Sequence, residues 1–194
     1  MPQMSNAVLS QRYGDALVIV FNRPEARSPL SVGVVEHVQR TLDSAASDKD
    51  VKRVVFTGRE NVFASGADLR EIAALSAYEA RAFGIRGQRL MNTIAGMPQT
   101  TISAVNGYCF GGALDLALAC DHRIASPQAV FSHPGASLGI LTGWGGTQRL
   151  PRLVGQAVSF EMFFTAGRVD ALTALRIGLI QMISDDPLST ALRA

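Results

Sequence analysis

Three glycine-bearing segments are the first residues in this chain that could do chemistry: Ala64-Ser65-Gly66-Ala67-Asp68, Asn106-Gly107-Tyr108-Cys109-Phe110-Gly111-Gly112 and Gly143-Trp144-Gly145-Gly146-Thr147. Each is read as following an apolar strand. Glycine there allows positive φ and lets backbone approach a ligand closely. A loop that opens directly into a helix also leaves N–H groups without helical partners, with the helix dipole behind them, which suits an anion or a developing negative charge. The simpler reading of any one such loop is a turn. Asp115 follows Gly112 by three positions, so a helix starting at Gly112 would carry its carboxylate on the same face. There it could act in acid–base chemistry or stabilise its own helix from the first turn. The dipole favours the ionised form and burial raises the pKa, so a base is easier to argue than an acid.

The other reactive side chains are sparse. His133 is read either as a packing residue or as a base reaching the same pocket, and His122 as structural. Cys109 and Cys120 sit among apolar residues as buried free thiols do, and without clustered histidines they make no zinc site. No metal is expected. Gly135-Ala136-Ser137-Leu138-Gly139 imitates a G-x-S-x-G nucleophile elbow, but all three histidines precede Ser137, against the order that triad requires. Neither a strand-linked GxGxxG nor a phosphate-loop Gly-Lys-Ser/Thr is present.

The elements that must position these residues alternate in type. Ala16–Phe21 is a short apolar β-branched run ending at Asn22-Arg23-Pro24, and Ser31 is an N-cap for a helix over 32–45. Strands are predicted over 51–57, 100–105, 123–125 and 129–131. Helices are predicted over 68–75, 80–94, 112–119, 153–165 and 171–177, before a last apolar segment at 179–183. The class is α/β. With 194 residues, no linker and no internal repeat, a single domain over 1–194 is expected.

Composition narrows the function classes. Apolar residues make up 47% and charged residues 18%, which describes a folding globular chain. A net charge of +2 with no basic run argues against nucleic acid, and Lys49 and Lys52 are the only lysines. Met1 to Asn6 lacks the plan of a signal peptide and no apolar run approaches membrane-spanning length, so no membrane partner and a cytoplasmic setting are expected.

Taken together, the three loops resemble the enoyl-CoA hydratase/isomerase (crotonase) family over nearly the whole chain. Asn22 to Arg27 looks like the loop after that family's first strands. Phe63 to Leu69 resembles its first oxyanion segment, and Asn106-Gly107-Tyr108 with Gly111-Gly112 its second. Gly145 to Leu150 resembles a stretch beyond the active site. The resemblance implies a crotonase-like fold of repeated ββα units. It also implies an acyl-CoA thioester substrate whose oxygen is bound by the N–H groups of Ala67 and Gly112 while an enolate forms, in hydration or double-bond isomerisation. CoA belongs to the substrate, so no separate cofactor is expected. Ala64, Ser65, Gly66, Ala67, Asp68, Leu69 and Arg70 would line the CoA channel with Gly112, and Arg23 and Arg27 would neighbour its phosphates.

Asp115 takes the place of one family glutamate and becomes the main acid–base candidate. The second family glutamate falls on Gly135, which departs from the two-carboxylate plan and leaves His133 as a possible accessory base. The alternative is a catalytically silent acyl-CoA-binding or scaffold homologue. Relatives form trimers or hexamers, and a homotrimer or hexamer is expected here. The chain is short for the family, with its C-terminal helical part reduced to a brief tail.

Overall fold

The computed structural model describes residues 7–194; the reading of Met1 to Asn6 lies outside the described residues. The strands are β1 (Val8–Tyr13), β2 (Ala16–Phe21), β3 (Pro29–Leu30), β4 (Arg53–Thr57), β5 (Val62–Ala64), β6 (Gly66–Ala67), β7 (Thr100–Val105), β8 (Tyr108–Phe110), β9 (His122–Ala125), β10 (Val130–Ser132), β11 (Val169–Asp170) and β12 (Met182–Ile183). The helices are α1 (Val32–Ser47), α2 (Leu69–Ala73), α3 (Ala77–Ala95), α4 (Gly112–Ala119), α5 (Gly146–Val154), α6 (Gln156–Thr165), α7 (Ala171–Arg176) and α8 (Pro187–Arg193).

The chain winds between two main sheets, and β3 and β6 pair in parallel as a third, two-stranded one. The larger has the order β1-β2-β4-β7-β9-β12, parallel from β2 onward with β1 antiparallel at its edge. The smaller runs β11-β10-β8-β5, with β5, β8 and β10 parallel. Each of β4, β7 and β9 lies in the larger sheet and is followed by β5, β8 or β10 in the smaller one, and then by helices. These are the ββα units that the resemblance implies. Of the short second strands, β10 matches the strand predicted over 129–131, whereas β5 and β8 were not resolved in the sequence, because three residues carry no usable alternation.

Side-chain alternation divides the core. Val54 and Phe56 of β4 face the main cluster with Ile19, Phe21, Val35, Leu42 and Leu114. Val55, Ile102, Ala104 and Ile124 face the other side of the sheet, where Ala191, Leu188 and Leu192 of α8 cover them. The expected brief tail is therefore a packed helix. Asp186 caps it by accepting from the Ser189 N–H at 2.9 Å, and Pro187 occupies its first turn.

The predicted single helix over 153–165 is two helices, broken at Gly155, whose φ of 83° a helix cannot continue through. The third glycine segment follows a 3-10 turn (Pro134–Leu138) rather than a strand. That turn holds the Gly135–Gly139 imitation of an elbow, with no strand feeding a helix there. Leu153, Phe160, Phe164, Leu172 and Leu175 on the C-terminal helices are solvent-exposed. No helix among the described residues is long and apolar enough to cross a membrane.

Candidate active site

Gly66 and Gly111 bring two segments together. Gly66 has φ of 88°, and a methyl group on it would lie 2.6 Å from the Phe110 carbonyl oxygen and 2.7 Å from the Gly112 nitrogen. Only glycine lets β6 approach the start of α4 so closely. Gly111, with φ of 54°, turns the chain from β8 into α4, while its N–H donates to the Ser132 carbonyl of β10 at 2.9 Å. A methyl group on Gly112 would lie 3.4 Å from the Ala67 nitrogen. The amides of Ala67 and Gly112 thus meet where two strand-to-helix connections cross. Gly112 is the first residue of α4, so its N–H has no partner within that helix.

Both residues line a cavity of about 510 Å³. One wall is apolar, with Ile72, Leu75, Phe83, Leu138, Leu141 and Phe163. Trp144 closes the wall beside the amides. Its ring lies 5.4 Å, centroid to centroid, from Phe83, and a methyl on Gly112 would come within 2.6 Å of it. Arg27, Asp68 and Arg70 also line the cavity, and Asp68 caps α2 by accepting from the Arg70 N–H at 2.9 Å.

The residues singled out from sequence do not all meet there. Ser65, Ala67, Asp68, Leu69, Arg70, Gly112, Arg27 and His133 reach the lining. Ala64 and Gly66 are buried behind it, and Arg23 lies outside it, with its Nε 3.8 Å from Glu25.

Asp115 also lies behind the wall. It is fully buried, accepts a hydrogen bond from the Thr142 hydroxyl, and packs so tightly under Gly146 that a methyl there would touch its Oδ1. Burial raises its carboxyl from the ordinary value to about 7, opposed by the Thr142 hydroxyl, the Arg149 charge and the amides of Trp144 and Gly146. His133 Nε2 stands 3.5 Å from Asp115 Oδ1, at the outer limit of a hydrogen bond. The His133 ring packs on Phe163 at 5.0 Å, and its burial lowers its pKa to about 4. At neutral pH the imidazole is uncharged.

Thr142 and Trp144 were not singled out in the sequence. The lone tryptophan between two glycines was a usable signal; Thr142 offered none.

With the fold and cavity in place, the class is that of a fold of ββα units with paired backbone amides in the wall of a largely apolar cavity. The enoyl-CoA hydratase/isomerase family model matches residues 11–192, and the chain belongs to that family. It is 37% identical over 179 residues to a short-chain-enoyl-CoA hydratase of Clostridium acetobutylicum, covering 92% of this chain and 69% of that enzyme. A crotonyl-CoA hydratase of Syntrophomonas wolfei is 40% identical over 167 residues, covering 86% of this chain and 64% of that enzyme. The chain therefore spans about two thirds of the length of these relatives. Among solved structures, Pseudomonas aeruginosa DspI superposes with a TM-score of 0.92 at 34% identity, over 96% of this chain and 72% of that one. An enoyl-CoA hydratase from Bacillus anthracis gives 0.88 at 32%, over 92% and 70%.

Proposed function

We propose that this chain binds an acyl-CoA thioester in the cavity, places the thioester oxygen between the N–H groups of Ala67 and Gly112, and stabilises an enolate formed by proton transfer at the α-carbon. The observation that carries the reading is the meeting of those two backbone segments in the cavity wall, permitted by Gly66. Negative charge develops on the thioester oxygen as the α-proton leaves, and fixed N–H dipoles in a site shielded from water stabilise it without reorganising. The apolar wall suits an acyl chain, and Arg27 and Arg70, which also line the cavity, would supply the positive charge for CoA phosphates. The names of the hydratase relatives support enoyl-CoA as the substrate class.

Gly135 lines the cavity where the resemblance leads one to expect a second carboxylate. A reaction served by one proton-transfer centre, such as double-bond isomerisation or α-proton exchange, asks less of the site than hydration, which must also activate water. The second reading, an acyl-CoA-binding homologue without turnover, is favoured by the same Gly135. Calorimetric titration with acetoacetyl-CoA, followed by a panel of 2-enoyl- and 3-enoyl-CoA thioesters, separates them. Binding with turnover is expected; binding with no turnover on the panel supports the silent homologue, and absence of binding removes both readings.

A further inference from the structure

Resting on the acyl-CoA reading above, we propose that Trp144 sets the acyl-chain length this site takes: its indole ring ends the acyl side of the cavity, so that short linear acyl groups are admitted and long ones refused. The ring sits between two helices at positions where neither carries a side chain. A methyl on Gly87 of α3 would lie 2.1 Å from Cδ1 and Nε1, and one on Gly112 of α4 would lie 2.6 Å from Cε3 and Cζ3. The five-membered edge therefore rests on α3, and the six-membered edge on the residue whose amide is to hold the thioester oxygen. Trp144 is 3% exposed and lines the cavity. Packed against both helices, the ring has no room to swing toward either.

The loop that carries the ring is tied down on both sides. The Gly143 carbonyl accepts from Gln88 Nε2 at 2.8 Å, and the Arg149 guanidinium donates to the Trp144 carbonyl at 3.4 Å and to Asn92 Oδ1 at 2.9 Å. Gln88 and Asn92 belong to α3. Thr142 donates to the buried Asp115 of α4. Moving the indole aside would break hydrogen bonds to both helices, so a ligand meets a fixed surface rather than a flap.

The two amides differ in what stands beside them. Ala67 runs directly into Asp68 and Arg70, which line the cavity with Arg27. Gly112 is backed by Trp144 and, through it, by Phe83, whose ring centroid lies 5.4 Å from that of the indole. A thioester oxygen held between the two amides leaves the carbonyl carbon with one substituent for each side. The sulfur and the phosphates beyond it suit the arginine side, and the acyl carbons suit the aromatic one. Each methylene laid on that wall should gain about fourfold in affinity until the chain reaches the indole. Beyond that point a pocket of fixed shape discriminates by about 10- to 200-fold against a group that does not fit.

The test titrates the full chain, native and Trp144→Ala, with free CoA, butyryl-CoA and decanoyl-CoA by calorimetry. The native chain should bind butyryl-CoA more tightly than free CoA, and decanoyl-CoA at least about tenfold more weakly than butyryl-CoA. Trp144→Ala should lose that preference and bind decanoyl-CoA at least as tightly as butyryl-CoA. Its affinity for free CoA should stay within about threefold of native, since the CoA side is separate from the ring. Because Trp144 is the only tryptophan, its emission also reports the contact: butyryl-CoA should shift it and free CoA should not.

Native binding of decanoyl-CoA within about tenfold of butyryl-CoA, or tighter, overturns the proposal. A Trp144→Ala chain that keeps the native preference also overturns it. In either case an acyl-CoA still binds and the acyl-CoA reading stands. Absence of binding by butyryl-CoA and decanoyl-CoA alike defeats the acyl-CoA reading itself. Should Trp144→Ala fail to fold, Trp144→Phe and the native emission take its place. Decanoyl-CoA should then gain on butyryl-CoA with the smaller ring, and native emission indifferent to the acyl group is contrary to the proposal.

Discussion

The indole ring of Trp144 occupies the space beside Gly87, so that a methyl group on that helical glycine would lie 2.1 Å from it. Gly87 on α3 and Gly112 on α4 face the same ring from two helices, which makes Trp144 the wedge that sets the distance between those helices and the amide pair. It is the only tryptophan in the chain. Gly87→Ala should push the ring toward Gly112 and destabilise the chain by about 1–3 kcal/mol, the usual cost of overpacking. Thermal unfolding with tryptophan emission should show a lower midpoint and a shifted native spectrum, together with weaker acetoacetyl-CoA binding. An unchanged emission maximum would show that the ring is not wedged.

Stability should carry the sign of the buried carboxyl. Asp115 is raised from its ordinary value to about 7, so between about pH 4 and 7 the native chain holds a proton that the unfolded chain has lost, and stability falls as pH rises. His133, lowered to about 4, acts in the opposite sense up to its unfolded value near 6.5. Asp115→Asn removes only the first effect. Its advantage over the native chain should grow by about 3 kcal/mol between pH 5 and pH 8, roughly two pH units at 1.36 kcal/mol each. Urea unfolding at the two pH values reads this directly; a constant difference would mean that the carboxyl is not protonated in the native chain near pH 5.

Arg123 is a structural cation whose loss should be costly. It is 3% exposed, and its guanidinium donates to the carbonyls of Leu179 at 2.9 Å and Cys120 at 2.6 Å. It thereby caps the C-terminal end of α4, where a positive charge also favours the helix dipole. Arg123→Met should destabilise by about 2–4 kcal/mol, because buried acceptors are left without a donor. Chemical denaturation should report this loss with little change in the pH dependence of any turnover, since the residue lies outside the cavity lining.

Gly66→Ala tests the approach of the two amide segments. The added methyl would meet the Phe110 carbonyl at 2.6 Å in a backbone with φ of 88°. A folded variant should bind acyl-CoA but lose turnover by about 10²-fold or more, the scale of removing one oxyanion donor. Turnover retained in full would show that the approach of Ala67 to Gly112 is not needed.

The sequence was most legible where side chains report on burial over several residues. β2, β7 and α4 have the bounds read from Ala16–Phe21, Thr100–Val105 and Gly112–Ala119, since each is a dense apolar run closed by turn residues. β1 was missed because it is an edge strand whose residues from Ser10 to Tyr13 are exposed, leaving no buried alternation. α8 was missed because its few apolar residues acquire meaning only against the outer face of the sheet. At the site, the glycines that turn the backbone were readable from type and order. The burial of Asp115 was not, because Thr142 and Gly146 seal it from a loop whose path only the folded chain defines.

The central claim is that the thioester oxygen of an acyl-CoA sits between the Ala67 and Gly112 amides. ¹³C NMR of [1-¹³C]butyryl-CoA bound to the chain measures the polarisation of that carbonyl directly. A downfield shift of the bound thioester carbon, reduced in Gly66→Ala, is expected; a bound ligand whose carbonyl carbon stays at its free-solution position would contradict the account.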